Sequence, residues 1–343
     1  MPYTGDNLKE EAMSWRTKED LGLEQVALVH EQLKVEDYWS VDLPRGFMWW
    51  AEEFAQKIWA DLGMFQNAQN FFRLHAETEL LRGRGRAQNF DLALAEEMRD
   101  ARLSAVCYDS DRDMFILHTS VYLSGDNMEW LPRIFLTACA MQVDEAHVIG
   151  HHLAKSLHAV PAASGHPDHG LRSEPAPILG AIEKSFKPYG QQPSRWIGVP
   201  EWKETDWAME RQASSFESDH QTHLRAFFPW PLGGEAVRLD VTTDTPHPVL
   251  GHGLNMVLQI PMNMSPEKCA HTAMALNNLE RKEWLRCQMM GSWGFDEGKL
   301  QYECFVPNVA FHEGVLMNLA LSMSIRAQWV ADQFAMWFQA AKH

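Results

Sequence analysis

Two stretches of the chain carry the same pattern of apolar and polar positions. Residues 89–141 and 274–326 each read as a helix, a short link, a two-stranded hairpin and a second helix. In the first stretch Leu94 lies in a helical run. Tyr108, Asp111, Phe115, Leu117, Thr119 and Val121 follow on the hairpin, then Leu131 and Ile134 on the next helix. In the second stretch the corresponding residues are Leu279, Trp293, Asp296, Leu300, Tyr302, Cys304, Val306, Leu316 and Leu319. Each pair stands 185 positions apart, so the register predicts a repeat without a gap. An internal repeat constrains architecture before any motif does.

The pattern around these stretches extends the repeat. Leu23, Val26, Ala27, His30 and Leu33 recur at helical spacing and predict a helix over 22–34. Strand patterns follow at Phe47–Trp50, Ala55–Leu62 and Phe71–Leu80, the last alternating through Phe72, Leu74, Ala76, Thr78 and Leu80. A helix over 89–101, a hairpin over 103–123 turning at Ser110-Asp111-Arg112, and a long helix over 128–158 with an irregularity near Gly150 complete the first half. Residues 159–199 are rich in Pro, Gly and His and read as a connector, with a short helix around Ile178, Ile182 and Phe186. The second half then repeats the order. Trp202, Met209 and Phe216 predict a helix over 200–217, before strands at 222–229, 235–243 and 253–260. Ser265-Pro266-Glu267 opens a helix that runs to about Trp284. A hairpin over 286–307 turns at Asp296-Glu297-Gly298, and a final helix covers 312–339.

Each half therefore reads α-β-β-β-α-β-β-α. Strands arriving in runs favour antiparallel sheets covered by helices over a parallel, doubly wound sheet. The expected class is α+β, built from two repeated modules. Residues 1–158 form the first module with an N-terminal extension, 159–199 the connector, and 200–343 the second module.

Composition narrows the function classes. The net charge is −16, with 30 Lys and Arg against 46 Asp and Glu. Nucleic-acid backbones are gripped by clustered cations, and anionic membranes repel such a surface, so neither partner is expected. No run of about 18 apolar residues is present to cross a bilayer. Met1–Arg16 lacks a charged-then-apolar leader pattern. Cys107, Cys139, Cys269, Cys287 and Cys304 are odd in number and none forms a CxxC pair, which suits a reducing compartment. The expected setting is cytoplasmic.

The order of elements resembles the type III secretion chaperone-like superfamily, including the YbjN-like proteins, over roughly 22–158 and 200–339. The second half is also similar to bacterial proteins of unassigned function through His247-Pro248, Gly251-His252-Gly253-Leu254, Leu276-Asn277, Phe305-Val306-Pro307-Asn308 and Arg326-Ala327-Gln328-Trp329. The resemblance implies modules that pair, here within one chain as a pseudo-dimer or between chains as a homodimer. It implies a binding role and supplies no catalytic residues. The 159–199 connector departs from the small chaperones.

Candidate chemistry is sparse. His147 and His151 lie four apart on a helix, with His152 beside them, and could grip a metal. The metalloprotease pattern needs Glu directly after the first His, where this chain has Val148. No metal or cofactor is therefore expected from this run. His166-Pro167-Asp168-His169-Gly170 and His247-Pro248 look like catalytic loops, but Pro and Gly there are better explained as turn chemistry. The chain has no Walker loop, no dinucleotide fingerprint and no complete nucleophile elbow, and the Arg82–Arg86 loop reads as a solvated turn. Met48-Trp49-Trp50 and Phe227-Phe228-Pro229-Trp230 pose another question. Neighbouring strand residues point to opposite faces, so each group must cover two layers or reach a partner. Trp49, Trp50, Phe228 and Trp230 are the candidate partner-binding residues.

The sequence thus points to a non-enzymatic, chaperone-like protein that captures a polypeptide on a sheet or helix surface. The alternative is a metal-dependent or small-molecule enzyme using the His-rich region 147–169.

Overall fold

The computed structural model describes residues 20–66, 69–100, 103–283 and 287–340. The polar N-terminal stretch and Trp284, where a helix end was expected, lie outside the described residues. Helix α1 (Leu21–Gln32) starts where the Asp20 carboxylate accepts the Leu23 N–H, and it buries Leu23, Val26 and Val29. Strands β1 (Ser40–Leu43), β2 (Gly46–Trp50), β3 (Ala55–Ala60), β4 (Met64–Gln66) and β5 (Gln69–Arg82) follow. Helix α2 (Phe90–Glu97), strands β6 (Ala105–Asp109) and β7 (Met114–Leu123), and helix α3 (Leu131–Ser156) close the first module. Strand β8 (Val160–Pro161) and helix α4 (Ala181–Gly190) lead to the second, which opens with helix α5 (Glu201–Gln212). Strands β9 (Ser215–Ser218), β10 (His223–Phe228), β11 (Val237–Thr242) and β12 (Gly253–Asn263) come next. Helix α6 (Pro266–Lys282), strands β13 (Ser292–Asp296) and β14 (Lys299–Pro307), and helix α7 (Val315–Ala340) complete the chain.

Both sheets are antiparallel and follow one path. The first runs β1-β2-β3-β5-β7-β6, with β4 and β8 also paired to β5; the second runs β9-β10-β11-β12-β14-β13. The ladders coincide position by position. Thr119–Ala76–Ile58–Phe47 across the first sheet corresponds to Cys304–Met256–Val241–Leu224 across the second. The fold is α+β, as the pattern of strands and helices led us to expect.

Each module carries an edge strand that the sequence does not announce, β1 in the first and β9 in the second, and the first also has the short β4 paired to β5. Phe216 keeps helical spacing with Trp202 and Met209, yet α5 stops at Gln212. Ala213 is extended, and Ser215–Ser218 pair with β10, so ladder bonds win over periodicity. The hairpins also differ by two residues. Tyr108 sits opposite Phe115, and the residue opposite Leu300 is Phe295, not Trp293. The first hairpin turns over residues 110–113. The second turns over Glu297-Gly298, both at positive φ, the tight turn that matches strand twist.

The α3 helix runs through Gly150 without a break. A Cβ there would lie 2.5 Å from the Phe54 ring, so the glycine serves close packing rather than a kink. The connector is folded onto the modules. β8 pairs with β5, Ser164 and Ala176 bond the backbone of Glu53 and Ala51, and Arg172 donates to the Trp50 carbonyl at 3.0 Å. Farther on, Asn308 donates its amide to the Tyr189, Gln192 and Pro193 carbonyls, tying this segment to the second module.

Candidate functional site

Strands β5 and β7 are buried on both faces from Phe72 to Leu81 and from Met114 to Leu123. In the second sheet the middle strands alternate. Leu224, Ala226, Leu239, Val241, Met256 and Leu258 are buried, while Arg225, Phe227, Arg238, Asp240, Asn255 and Val257 are half-exposed. Such alternation marks a sheet with one covered face and one open face.

The second module covers the outer face of the first sheet over β5, β6 and β7, while Met48, Lys57 and Trp59 on β2 and β3 stay half-exposed. Helix α6 packs directly on β6, and its last carbonyls, of Glu280 and Arg281, accept from the Arg73 guanidinium at 3.3 and 3.2 Å. A cation there complements the helix C-terminus. Asn278 takes the free Tyr108 N–H at 2.7 Å, and Arg281 bonds Glu77 at 2.8 Å and Asp109 at 3.2 Å. Burial would raise the Glu77 carboxyl, but the His118 imidazole 3.2 Å away and the Arg281 guanidinium outweigh it and hold Glu77 well below the usual range. Burial pushes the His118 imidazole down to about 4 despite Glu77 beside it.

The other half of the seam between modules is looser. Helix α2 corresponds in the repeat to the last half of α6, and it stands away from the second sheet. Leu92, Ala93 and Glu96 occupy the places where α6 has Asn277, Asn278 and Arg281. The side chains that anchor α6 are therefore missing from α2. Between α2, α6 and the outer face of β12, β13 and β14 lies a cavity of about 340 Å³. Leu94, Met98, Met274 and Phe305 give it apolar walls; Asn255, Gln301, Glu303 and His247 give it polar ones. Asp91, Asp100, Glu145 and Asp296 also line it, and its lining guanidinium, Arg99, is bound to Asp296 at 2.6 Å.

Glu303 is the distinctive group. Its side chain accepts from the Gln301 amide. Burial, reinforced by the Asp296 carboxylate, pushes its carboxyl up to about 7, against the opposing pull of Arg99. His247 forms a two-way backbone bridge with Gly251, and its Nδ1 accepts the Val249 and Leu250 N–H groups at 3.1 Å each. The ring proton therefore sits on Nε2. His166 and Gly170 form the same bridge, with Nδ1 accepting from Asp168 at 3.2 Å. Both His-Pro runs are turns whose imidazole is an internal acceptor.

The residues singled out in the sequence are not gathered at this cavity. Trp49 is buried and donates to Gln56 at 2.9 Å; Trp50, on the opposite face, donates to Ser164 of the folded connector at 3.1 Å. Phe228 is buried in the second core, and Trp230 packs on Phe334. Two-sided burial thus accounts for Trp49 and Trp50; in the second group Phe228 and Trp230 are buried and Phe227 is half-exposed, and none of the four candidate rings offers a surface to a partner. His147 and His151 each face a separate carboxylate, Glu52 and Glu53, and His152 lies 3.7 Å from Glu97. Among the described residues no three His, Cys, Asp or Glu side chains converge to hold a metal. The sequence did hold a signal for Glu303: it is the one charged residue in Leu300–Pro307, at the place where the first module has His118.

No family model matches the chain, and no curated protein or solved structure matches it either.

Proposed function

We propose that the chain is a non-enzymatic binding protein that captures a polypeptide on the open face of its second sheet, with the seam cavity at one end of that face. The observation that carries this reading is the unequal treatment of equivalent surfaces. Over β5, β6 and β7 the first sheet's outer face is covered by α6 and by Gln288 and Met289 after it, all from the other module. The second sheet's face, with the half-exposed side chains of Phe227, Arg238 and Val257, has no such cover among the described residues. A helix or strand of a partner would find there what α6 finds on the first sheet. The resemblance to secretion-chaperone modules supports the same reading. Five free, buried cysteines fit a cytoplasmic setting, and no helix among the described residues is long and apolar enough to cross a membrane.

Photo-crosslinking tests it. A benzophenone side chain placed at Phe227 should yield a defined polypeptide adduct in native extract, and the same label at Leu171, exposed on the connector, should not. Equal labelling from both positions, or no polypeptide adduct from Phe227, would refute capture on this face.

A further inference from the structure

We infer that the seam cavity is a site for an alkyl cation, and that its ligand is an Arg or Lys side chain of the captured polypeptide, paired with Glu303. This rests on the binding role proposed above and names the chemistry of its anchor point. The first argument is the lining. Five carboxyl groups, Asp91, Asp100, Glu145, Asp296 and Glu303, border a space that also has the apolar walls a methylene stem requires. Arg99 is already bound to Asp296, and Asp91 to Arg84. Glu303 is left with an amide partner.

The second argument is a precedent inside the molecule. On the first sheet the ladder pairs Glu77 with His118, and α6 delivers Arg281 onto Glu77. On the second sheet the ladder pairs Glu303 with Val257, which brings no charge. The helix that should deliver a cation, α2, carries Glu96 at the position of Arg281. A basic residue arriving on a partner would make the corresponding ion pair, with the carboxylate on β14 instead of on β5. An ion pair at a partly buried carboxylate within apolar walls is stronger than one at the surface.

The experiment is calorimetric titration of the full chain with acetyl-arginine amide, its neutral isostere acetyl-citrulline amide, and agmatine as the free cation. The arginine probe should bind at pH 8 at least about tenfold more tightly than the citrulline probe. Its affinity should fall about tenfold between pH 8 and pH 6, as Glu303 takes up its proton. The groups facing Glu303 are Asp296, Arg99, Asp100, Asp91, Glu145 and His247. To assign the pH dependence to Glu303, the profile must flatten in Glu303→Gln, a substitution that keeps the side-chain volume. Ala95→Trp fills the cavity from α2 and leaves the carboxylate in place, and it should abolish binding. Equal binding of the arginine and citrulline probes, or unchanged binding by Glu303→Gln, overturns the cation site. Agmatine binding with full Glu303 dependence, while the arginine amide is excluded, would keep the cation site and sink the polypeptide as its source.

Discussion

His118 and Glu303 stand at the same place in the two sheets, 185 positions apart, and their environments shift them in opposite directions. Around His118 the second module closes the face with α6 and supplies Arg281. Around Glu303 the first module offers the short helix α2 and leaves a cavity. The cores differ in the same way. In the first, Gln142 donates to Thr119 and the Ala76 carbonyl and accepts from Thr78, while Gln56 joins Trp49, Thr78 and the Cys139 carbonyl. In the second, the matching places hold Ala327, Cys304, Met256, Leu258 and Leu239. The second module keeps its polarity elsewhere. Arg326 is fully buried against Glu280, where the first module has Met141 and Ala95. One fold is thus held together by different chemistry in its two copies, and the difference at the outer face is the one that leaves a cavity.

The largest expected effect comes from that ion pair. Arg326→Met leaves Glu280 charged in the core and should cost about 3–5 kcal/mol in denaturant unfolding. Arg326→Met combined with Glu280→Gln imitates the apolar first module yet keeps an acceptor for the Trp293 indole, which bonds Glu280 at 3.0 Å. The double variant should recover about half of the loss. If the two variants are equally unstable, charge burial is not what separates the copies.

The second comparison is in pH. Glu303 binds its proton more tightly in the folded chain than in the unfolded one. Its contribution is fully present below the ordinary carboxyl value of about 4.5 and is lost as pH rises to about 7. His118 has the reverse sign. Its contribution is present above about 6.5 and is lost as pH falls toward about 4. Glu303→Gln should leave stability at pH 4.5 nearly unchanged and raise it by about 3 kcal/mol at pH 8. Urea midpoints at the two values check this, and a gain of equal size at both would exclude the titration of Glu303 as its cause.

These contrasts show what the sequence could reveal. The repeat was legible because both copies bury the same columns of apolar residues, and burial follows periodicity. The edge strands β1 and β9 were not legible, because four residues with one partner strand carry little pattern and Phe216 also fits a helix. The tryptophans misled for a different reason. Trp50 is covered by Ser164, more than a hundred positions away, and no local pattern reports a cover supplied by a distant segment. The seam is invisible for the same cause. Only the packing of α6 and α2 distinguishes a filled face from an open one.

A third test separates the two cores. Gln142→Ala strands the hydroxyls and amide that it joins, and should cost about 2–3 kcal/mol. Ala327→Gln places the same amide in the second core, where Leu258 and Cys304 offer no comparable partners, and should cost a similar amount. Tolerance of Ala327→Gln would mean that the second core can rebuild the network, and the two chemistries would then be interchangeable.

The smallest effect lies at the helix surface that each sheet meets. Gly150 and Ala335 match in the repeat. A Cβ at 150 would press on Phe54 at 2.5 Å, with the ring held in its own cluster by Leu80 and Leu153. Helix propensity alone would make Gly150→Ala favourable by about 1 kcal/mol. Overpacking costs about 1–3 kcal/mol and opposes it. We therefore expect Gly150→Ala to lower stability slightly, and Ala335→Gly, where no such contact limits the choice, to lower it by about 1 kcal/mol through propensity. A stabilised Gly150→Ala chain would show that the Phe54 ring can move aside. The close approach of α3 to that ring would then be a consequence of the glycine rather than the reason for it.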